Sequence, residues 1–127
     1  MNLHARTIAV IDDDPRVLES LVNLLASYGY EARPYISAEQ FLQTGGPAKS
    51  RCIIADIEME QMSGLRLLEH LKGSDCDVPI ILITGNPSGR SDAFYRERGA
   101  AAFFRKPVDG ETLVAVIRSI WSGPESV

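Results

Sequence analysis

Arg51-Cys52-Ile53-Ile54-Ala55-Asp56 decides the fold. A short apolar run ends abruptly in one carboxylate, which reads as a buried strand carrying Asp56 to the edge of a sheet. Three other runs behave alike. Thr7 to Ile11 ends in Asp12-Asp13-Asp14, Ile80 to Ile83 ends in Thr84, and Ala101 to Phe104 runs into Arg105-Lys106-Pro107. If these ends share one edge of a parallel sheet, the acids, the hydroxyl and the amine form a single polar site with Asp56 at its centre.

The stretches between the strands supply the helices. Asp14-Pro15 is a helix start, with Asp as N-cap and Pro in the first turn. Val17, Leu18, Leu21, Leu24 and Leu25 follow at helical spacing, and Gly29 closes the helix. Glu31 to Tyr35 is a second strand, and Pro34 inside it argues for an edge position. Ser37 with Gln40 is a capping box opening a short helix to about Gln43. Gly45-Gly46-Pro47 reads as a loop. Residues 57–63 read as a loop with Met59 and Met62 exposed. Gly64 leads into a helix over Leu65 to Lys72 with Leu65, Leu68 and Leu71 on its buried face. Thr84 to Ser91 is a Gly/Pro/Asn/Ser-rich loop, Asp92 to Arg98 a weak, charged helix. Asp109 caps a last helix with Leu113, Val116, Ile117 and Ile120 inward and Trp121 near its end as a packing anchor. Tyr28, Tyr30 and Tyr35 are packing residues, and His4 and His70 face solvent.

Five strands alternating with helices predict an α/β fold of right-handed βαβ units, a doubly wound parallel sheet covered on both faces. Asp12, Asp13 and Asp56 are useful together only if the first and third strands are neighbours. The order 2-1-3-4-5, the known order of flavodoxin-like sheets, makes them so and puts the switch point between them. The length suits one domain, taken as residues 1–121, with 122–127 a tail or the start of a linker.

The bulk properties exclude several classes. A net charge of −4 argues against direct nucleic-acid binding, which wants a basic face. Cys52 and Cys76 have no metal-ligand spacing and read as free thiols, which suits a reducing compartment. No apolar stretch approaches a membrane span, and Asp12 to Asp14 interrupt any signal-peptide core, so a cytoplasmic location is expected.

The chemistry follows from the clustered side chains. Three carboxylates at one strand edge repel each other, and a hard divalent cation relieves that: Mg²⁺, which favours a few carboxylates with waters and phosphate oxygens. Lys106 offers a mobile point charge for phosphate and Thr84 a hydrogen bond. Asp56 is placed to attack phosphorus and form an aspartyl-phosphate. Asp14 is read as a helix cap rather than as part of this cluster.

At this point the chain resembles the receiver domain of two-component response regulators, from Thr7 to Trp121. Five features occur in order: Asp12-Asp13, Asp56, Met62-Ser63-Gly64, Thr84 and Lys106-Pro107. Ile83-Thr84-Gly85 and the Phe103-Phe104-x-Lys106-Pro107 run look most like the FixJ-type subgroup, in which a receiver precedes a helix-turn-helix output domain. The resemblance implies that Asp56 takes a phosphoryl group from a histidine kinase or a phosphotransfer protein. Mg²⁺, or Mn²⁺ in its place, is then held by Asp13, Asp56 and the backbone carbonyl of Glu58, with Asp12 acting mainly through water. Lys106 and Thr84 contact the phosphoryl oxygens, and a cis Lys106-Pro107 bond fixes where the lysine points. Thr84 and Phe103 form the switch, repacking the face near the 92–98 helix, the last strand and the last helix, with a phosphorylation-dependent homodimer as one outcome. DNA binding then belongs to an output domain beyond this chain.

The chain departs from the family where Glu60 replaces a usual proline. Glu58 and Asn86 occupy positions that tune phosphoryl lifetime, and an acidic Glu58 is placed to compete for the metal or orient a hydrolytic water. On this reading the chain is a signalling switch, not an enzyme acting on other molecules. Three alternatives compete. A haloacid-dehalogenase-like phosphatase wants Asp-x-Asp after the first strand and a cap, and Asp56-Ile57-Glu58 lacks the second Asp. A receiver-shaped interaction module without phosphorylation would be expected to lose an acid or the lysine. A flavodoxin-like electron carrier would have its cofactor phosphate repelled by the first-strand aspartates.

Overall fold

The computed structural model describes residues 7–86 and 89–121. The expectations for His4, for the N-terminal segment 1–6, for Pro87 and Ser88 and for the tail 122–127 lie outside these residues.

Five strands form one parallel sheet: β1 (Thr7–Ile11), β2 (Glu31–Tyr35), β3 (Cys52–Asp56), β4 (Ile80–Thr84) and β5 (Ala102–Arg105), in the order β2-β1-β3-β4-β5. The helices are α1 (Pro15–Ser27), α2 (Ala38–Gln43), α3 (Gly46–Lys49), α4 (Gly64–Gly73), α5 (Asp92–Glu97) and α6 (Gly110–Trp121). Side chains alternate across each central strand. Ala9, Ile11, Ile53, Ala55, Ile80 and Leu82 face one layer with Phe41, Leu67, Leu68, Leu71 and Tyr95 from α2, α4 and α5. Ile8, Val10, Cys52, Ile54, Ile81 and Ile83 face the other with Leu18, Leu21, Leu25, Leu113, Val114 and Ile117 from α1 and α6. Burial on both faces is why these strands read as continuous apolar runs. Burial also pushes the Cys52 thiol up to about 12, which keeps it inert.

The helix ends follow their sequence signals. Asp14 Oδ1 accepts from the Arg16 amide at 2.9 Å, with Pro15 in the first turn, and Gly29 turns the chain out of α1 at φ 88°. Ser37 Oγ accepts from the Gln40 amide at 3.0 Å, and Gln40 Oε1 reaches back to the Ile36 amide at 2.9 Å. A cap of this kind contributes about 1 kcal/mol. Pro34 does lie on the edge strand, where no neighbour needs its missing N–H. Trp121 Nε1 donates to the Arg51 carbonyl at 3.4 Å, and its ring meets Tyr30 edge-on at 5.4 Å. That contact fastens the end of α6 across the start of β3.

Four local expectations are corrected. Gly45-Gly46-Pro47 is not simply a loop: Gly46–Lys49 forms a one-turn helix after Gly45 at φ 73°. Met59 is buried, because the 57–63 loop folds back over the α4 side of the core, and Met62 packs against the same cluster. On α4 the buried set is Leu67, Leu68 and Leu71, with Leu65 only partly covered. On α6, Val114 is buried where Val116 and Ile120 are half-buried, because Val114 packs with Leu113 and Ile117 into the cluster shared with α1 while Val116 and Ile120 lie at its margin.

Candidate functional site

Parallel strands deliver their carboxyl ends to one edge. Ile11 pairs with Ala55, Asp56 with Ile83 and Thr84 with Arg105, so Asp12, Asp56, Thr84 and Lys106 arrive side by side. Asp12 and Asp56 are only 2% and 5% exposed, whereas Asp13 is open to solvent. The Asp12 carboxylate is fixed by the Asp14 amide at 2.9 Å, and the Asp12 amide donates to the Tyr35 carbonyl at 3.1 Å. One oxygen of each of Asp12, Asp13 and Asp56 lies within 4.8 Å of the others.

Lys106 answers part of this charge. Its Nζ donates to Asp12 Oδ2 at 3.1 Å and to Asp56 Oδ2 at 3.3 Å, and the Lys106-Pro107 bond is cis. Burial of Lys106 would lower its ammonium, but its hydrogen bond to Asp12 and the charges of Asp56 and Asp12 outweigh that and hold it above its ordinary value. Asp56 also moves up, which for a carboxyl disfavours the charged form. Burial, and then the Asp12 charge, push it up to about 6 against the pull of Lys106 and the Glu58 amide.

The donor set fits a divalent cation. Two of the three acids share one lysine, and no ion pair involves Asp13 among the described residues. The cluster therefore keeps excess negative charge and oxygen-only ligands, which suit a hard ion.

The β4 end is organised by Glu58. Its amide donates to Asp56 Oδ1 at 3.2 Å, while its carboxylate crosses to β4, accepting from the Thr84 hydroxyl and from the Gly85 amide at 3.0 Å. Thr84 Oγ1 in turn accepts from the Asn86 amide at 3.0 Å, and the Asn86 carbonyl accepts from Arg105 Nη1 at 3.2 Å. Phe103 is half-buried and stacked on Tyr95, centroids 4.9 Å apart and planes 15° apart, with the Arg105 guanidinium 5.4 Å from its ring centre. Beside Lys106, a groove of about 480 Å³ runs between α1 and the Pro107-Val108 segment, lined by Val17, Leu21 and Leu24.

All the acids, Thr84 and Lys106 thus converge, Glu58 and Asn86 join them at the β4 end, and Phe103 stands on the adjoining strand. Sequence reasoning missed the Gly85 amide, the Arg105 tie and the Tyr95 stack. Arg105 had a visible signal, since it shares the strand end with Lys106; Gly85 takes part through its backbone amide and Tyr95 through a ring contact that only the packing of α5 on β5 brings about.

The response regulator receiver domain description matches residues 8–118, nearly the whole chain. The chain belongs to this family. The receiver is 37% identical over 112 residues to the transcriptional regulatory protein FixJ of Azorhizobium caulinodans, covering 88% of this chain and 53% of that protein. It therefore spans about half the length of the curated relatives it matches. Among solved structures it resembles the response regulator StyR with a TM-score of 0.81 at 34% identity, covering 89% of this chain and 57% of that one. It also resembles FixJ-N with a TM-score of 0.78 at 29% identity, covering 88% and 90%. The expected sheet order and receiver fold stand. The phosphatase and electron-carrier readings find no support in this family.

Proposed function

We propose that this receiver is the phosphoacceptor of a two-component regulator, with Asp56 as the acceptor. The observation that supports this best is a buried carboxylate held by a lysine ammonium on one oxygen and by a backbone amide on the other. Two further acids lie beside it and a hydroxyl stands on the next strand. An Asp56 oxygen attacks the phosphorus of a phosphohistidine: a P–O bond forms, the P–N bond breaks, and the leaving imidazole nitrogen keeps the electron pair and takes up a proton. Lys106 neutralises the incoming oxygens, and the fixed carboxylate supplies positioning, which carries most of the rate in phosphoryl transfer. Asp13, Asp56 and the Glu58 carbonyl would hold Mg²⁺ or Mn²⁺, with Asp12 acting behind them. The ion would add charge neutralisation at the phosphoryl oxygens.

The donor is a histidine kinase or a phosphotransfer protein, and the apolar groove lined in part by Lys106, which bonds Asp56, offers it a surface beside the acceptor. Thr84 and Phe103 carry the switch, with unstacking of Phe103 from Tyr95 as its mechanical step, and a homodimer on that face is one output. The domain works in the cytoplasm as a switch that catalyses only its own phosphorylation and dephosphorylation. DNA is reached through an output domain, as the name of the FixJ relative suggests. Asn86 and Glu58 set the phosphoryl lifetime.

Intact mass after incubation with acetyl phosphate and Mg²⁺ tests the reading. Wild type is expected to gain one phosphoryl group, and Asp56→Asn or excess chelator is expected to abolish the gain. A folded wild type that gains nothing would leave a receiver-shaped module that signals by binding alone.

A further inference from the structure

Glu58 holds both donors at the end of β4. A hydroxyl has one proton to give and an amide has one. The Thr84 hydroxyl gives its proton to one Glu58 oxygen, and the Gly85 amide gives its proton to the other. Neither can serve a phosphoryl oxygen at the same time. Glu58 is also anchored at the acceptor, because its own amide bonds Asp56 Oδ1 at 3.2 Å. The residue therefore straddles the gap between the proposed acceptor on β3 and the hydroxyl on β4, with the rest of it open to solvent.

We propose that the Glu58 carboxylate is an internal stand-in for the phosphoryl group, filling the acceptor position at Thr84 and Gly85 and leaving it when Asp56 is phosphorylated. The inference rests on the reading of Asp56 as acceptor. A carboxylate and a phosphoryl group are both anionic oxygen acceptors, so the same two donors suit either. They carry the same sign of charge, so the site holds one at a time. Glu58 has solvent to move into, which makes the exchange a choice between two arrangements rather than a distortion of the core. In the resting arrangement Thr84 is tied to Glu58. In the phosphorylated one it is released to the phosphoryl oxygens, and Glu58 swings out on the 57–63 loop. Thr84 thus has a defined partner in both states, and the resting state resists phosphorylation.

The test measures the initial rate of phosphoryl gain from acetyl phosphate at saturating Mg²⁺ and physiological salt, by intact mass, for wild type, Glu58→Ala and Glu58→Asp. Glu58→Asp keeps the charge but shortens the reach by one carbon–carbon bond, about 1.5 Å. It cannot bridge Thr84 and Gly85 from the same backbone. Both variants are expected to gain the group about ten-fold faster than wild type, the scale of one lost charge-assisted hydrogen bond. If only Glu58→Ala is faster, charge alone slows the wild type and the stand-in is overturned. If all three gain the group at one rate, the stand-in is overturned and Asp56 remains the acceptor. If none of the three folded proteins gains it, the acceptor reading falls and the stand-in falls with it.

Discussion

Asp56→Asn is expected to be more stable than wild type by about 1–3 kcal/mol at pH 7.5 without divalent ions. The cause is the burial of Asp56 at the strand end and then its crowding against Asp12, which Lys106 only partly offsets. The direction with pH follows. The folded protein holds the Asp56 proton up to about pH 6, while an unfolded chain releases it near the ordinary carboxyl value of 3.8. Between those limits the folded state binds more protons, so this residue's contribution to stability falls as pH rises and stays low above about 6. The asparagine variant has no proton to lose there. The difference between the two unfolding curves should therefore be small near pH 4, widen through pH 6 and then level off. Mg²⁺ at millimolar concentration should narrow it, because binding stabilises the wild type by mass action and the variant lacks one carboxylate ligand. Urea midpoints at a series of pH values measure all of this. A variant that is less stable than wild type above pH 6 would show that the Lys106 bonds outweigh the crowding.

Gly64→Ala is expected to destabilise the fold by about 1–3 kcal/mol and to slow phosphoryl gain at Asp56. A Cβ at this position would stand 2.6 Å from the Asp56 carbonyl oxygen and 3.2 Å from the Ile57 Cα. Both obstacles are backbone, so no rotamer change relieves them. The start of α4 must recede from the end of β3, or the end of β3 must move, and the latter carries Asp56 with it. The Gly64 amide also donates to the Ile57 carbonyl at 3.3 Å, a bond that the same displacement stretches. A lower urea midpoint with slower phosphoryl gain is the expected pair of results. An unchanged midpoint would mean that α4 has room to withdraw.

Gly64 also shows how far sequence reading reached. Its place after Met62-Ser63 was visible as part of a family pattern, but the reason for glycine there, an approach of helix start to strand end, appears only in three dimensions. The strands were legible because burial on both faces makes them uninterrupted apolar runs, and their order was legible because scattered acids gain a purpose only at one edge. Lys106, fifty residues from Asp56, could be paired with it through topology alone. Side-chain choices within a face were less legible. Leu65 and Leu67 are both candidates for a helix interior, and the tilt of α4 over the sheet decides between them. Met59 reads as exposed beside Glu58 and Glu60 until the loop is seen to fold over the core. Glu58 was visible as a further acid two residues after Asp56. Its reach to Thr84, 26 residues away, depends on the conformation of that loop.

The position of Trp121 has a practical consequence. It is the sole tryptophan in the chain, and it is packed on Tyr30 and on the Arg51 carbonyl, at the amino-terminal edge of the sheet. The carboxylates stand at the opposite edge. Intrinsic tryptophan emission will therefore follow the loss of the α6 docking during denaturation, yet it has no ring near Asp56 to register metal or phosphoryl binding. An optical titration of the acidic edge needs an indole introduced close to it. Without one, a flat emission trace on adding Mg²⁺ is what a fully competent protein would give.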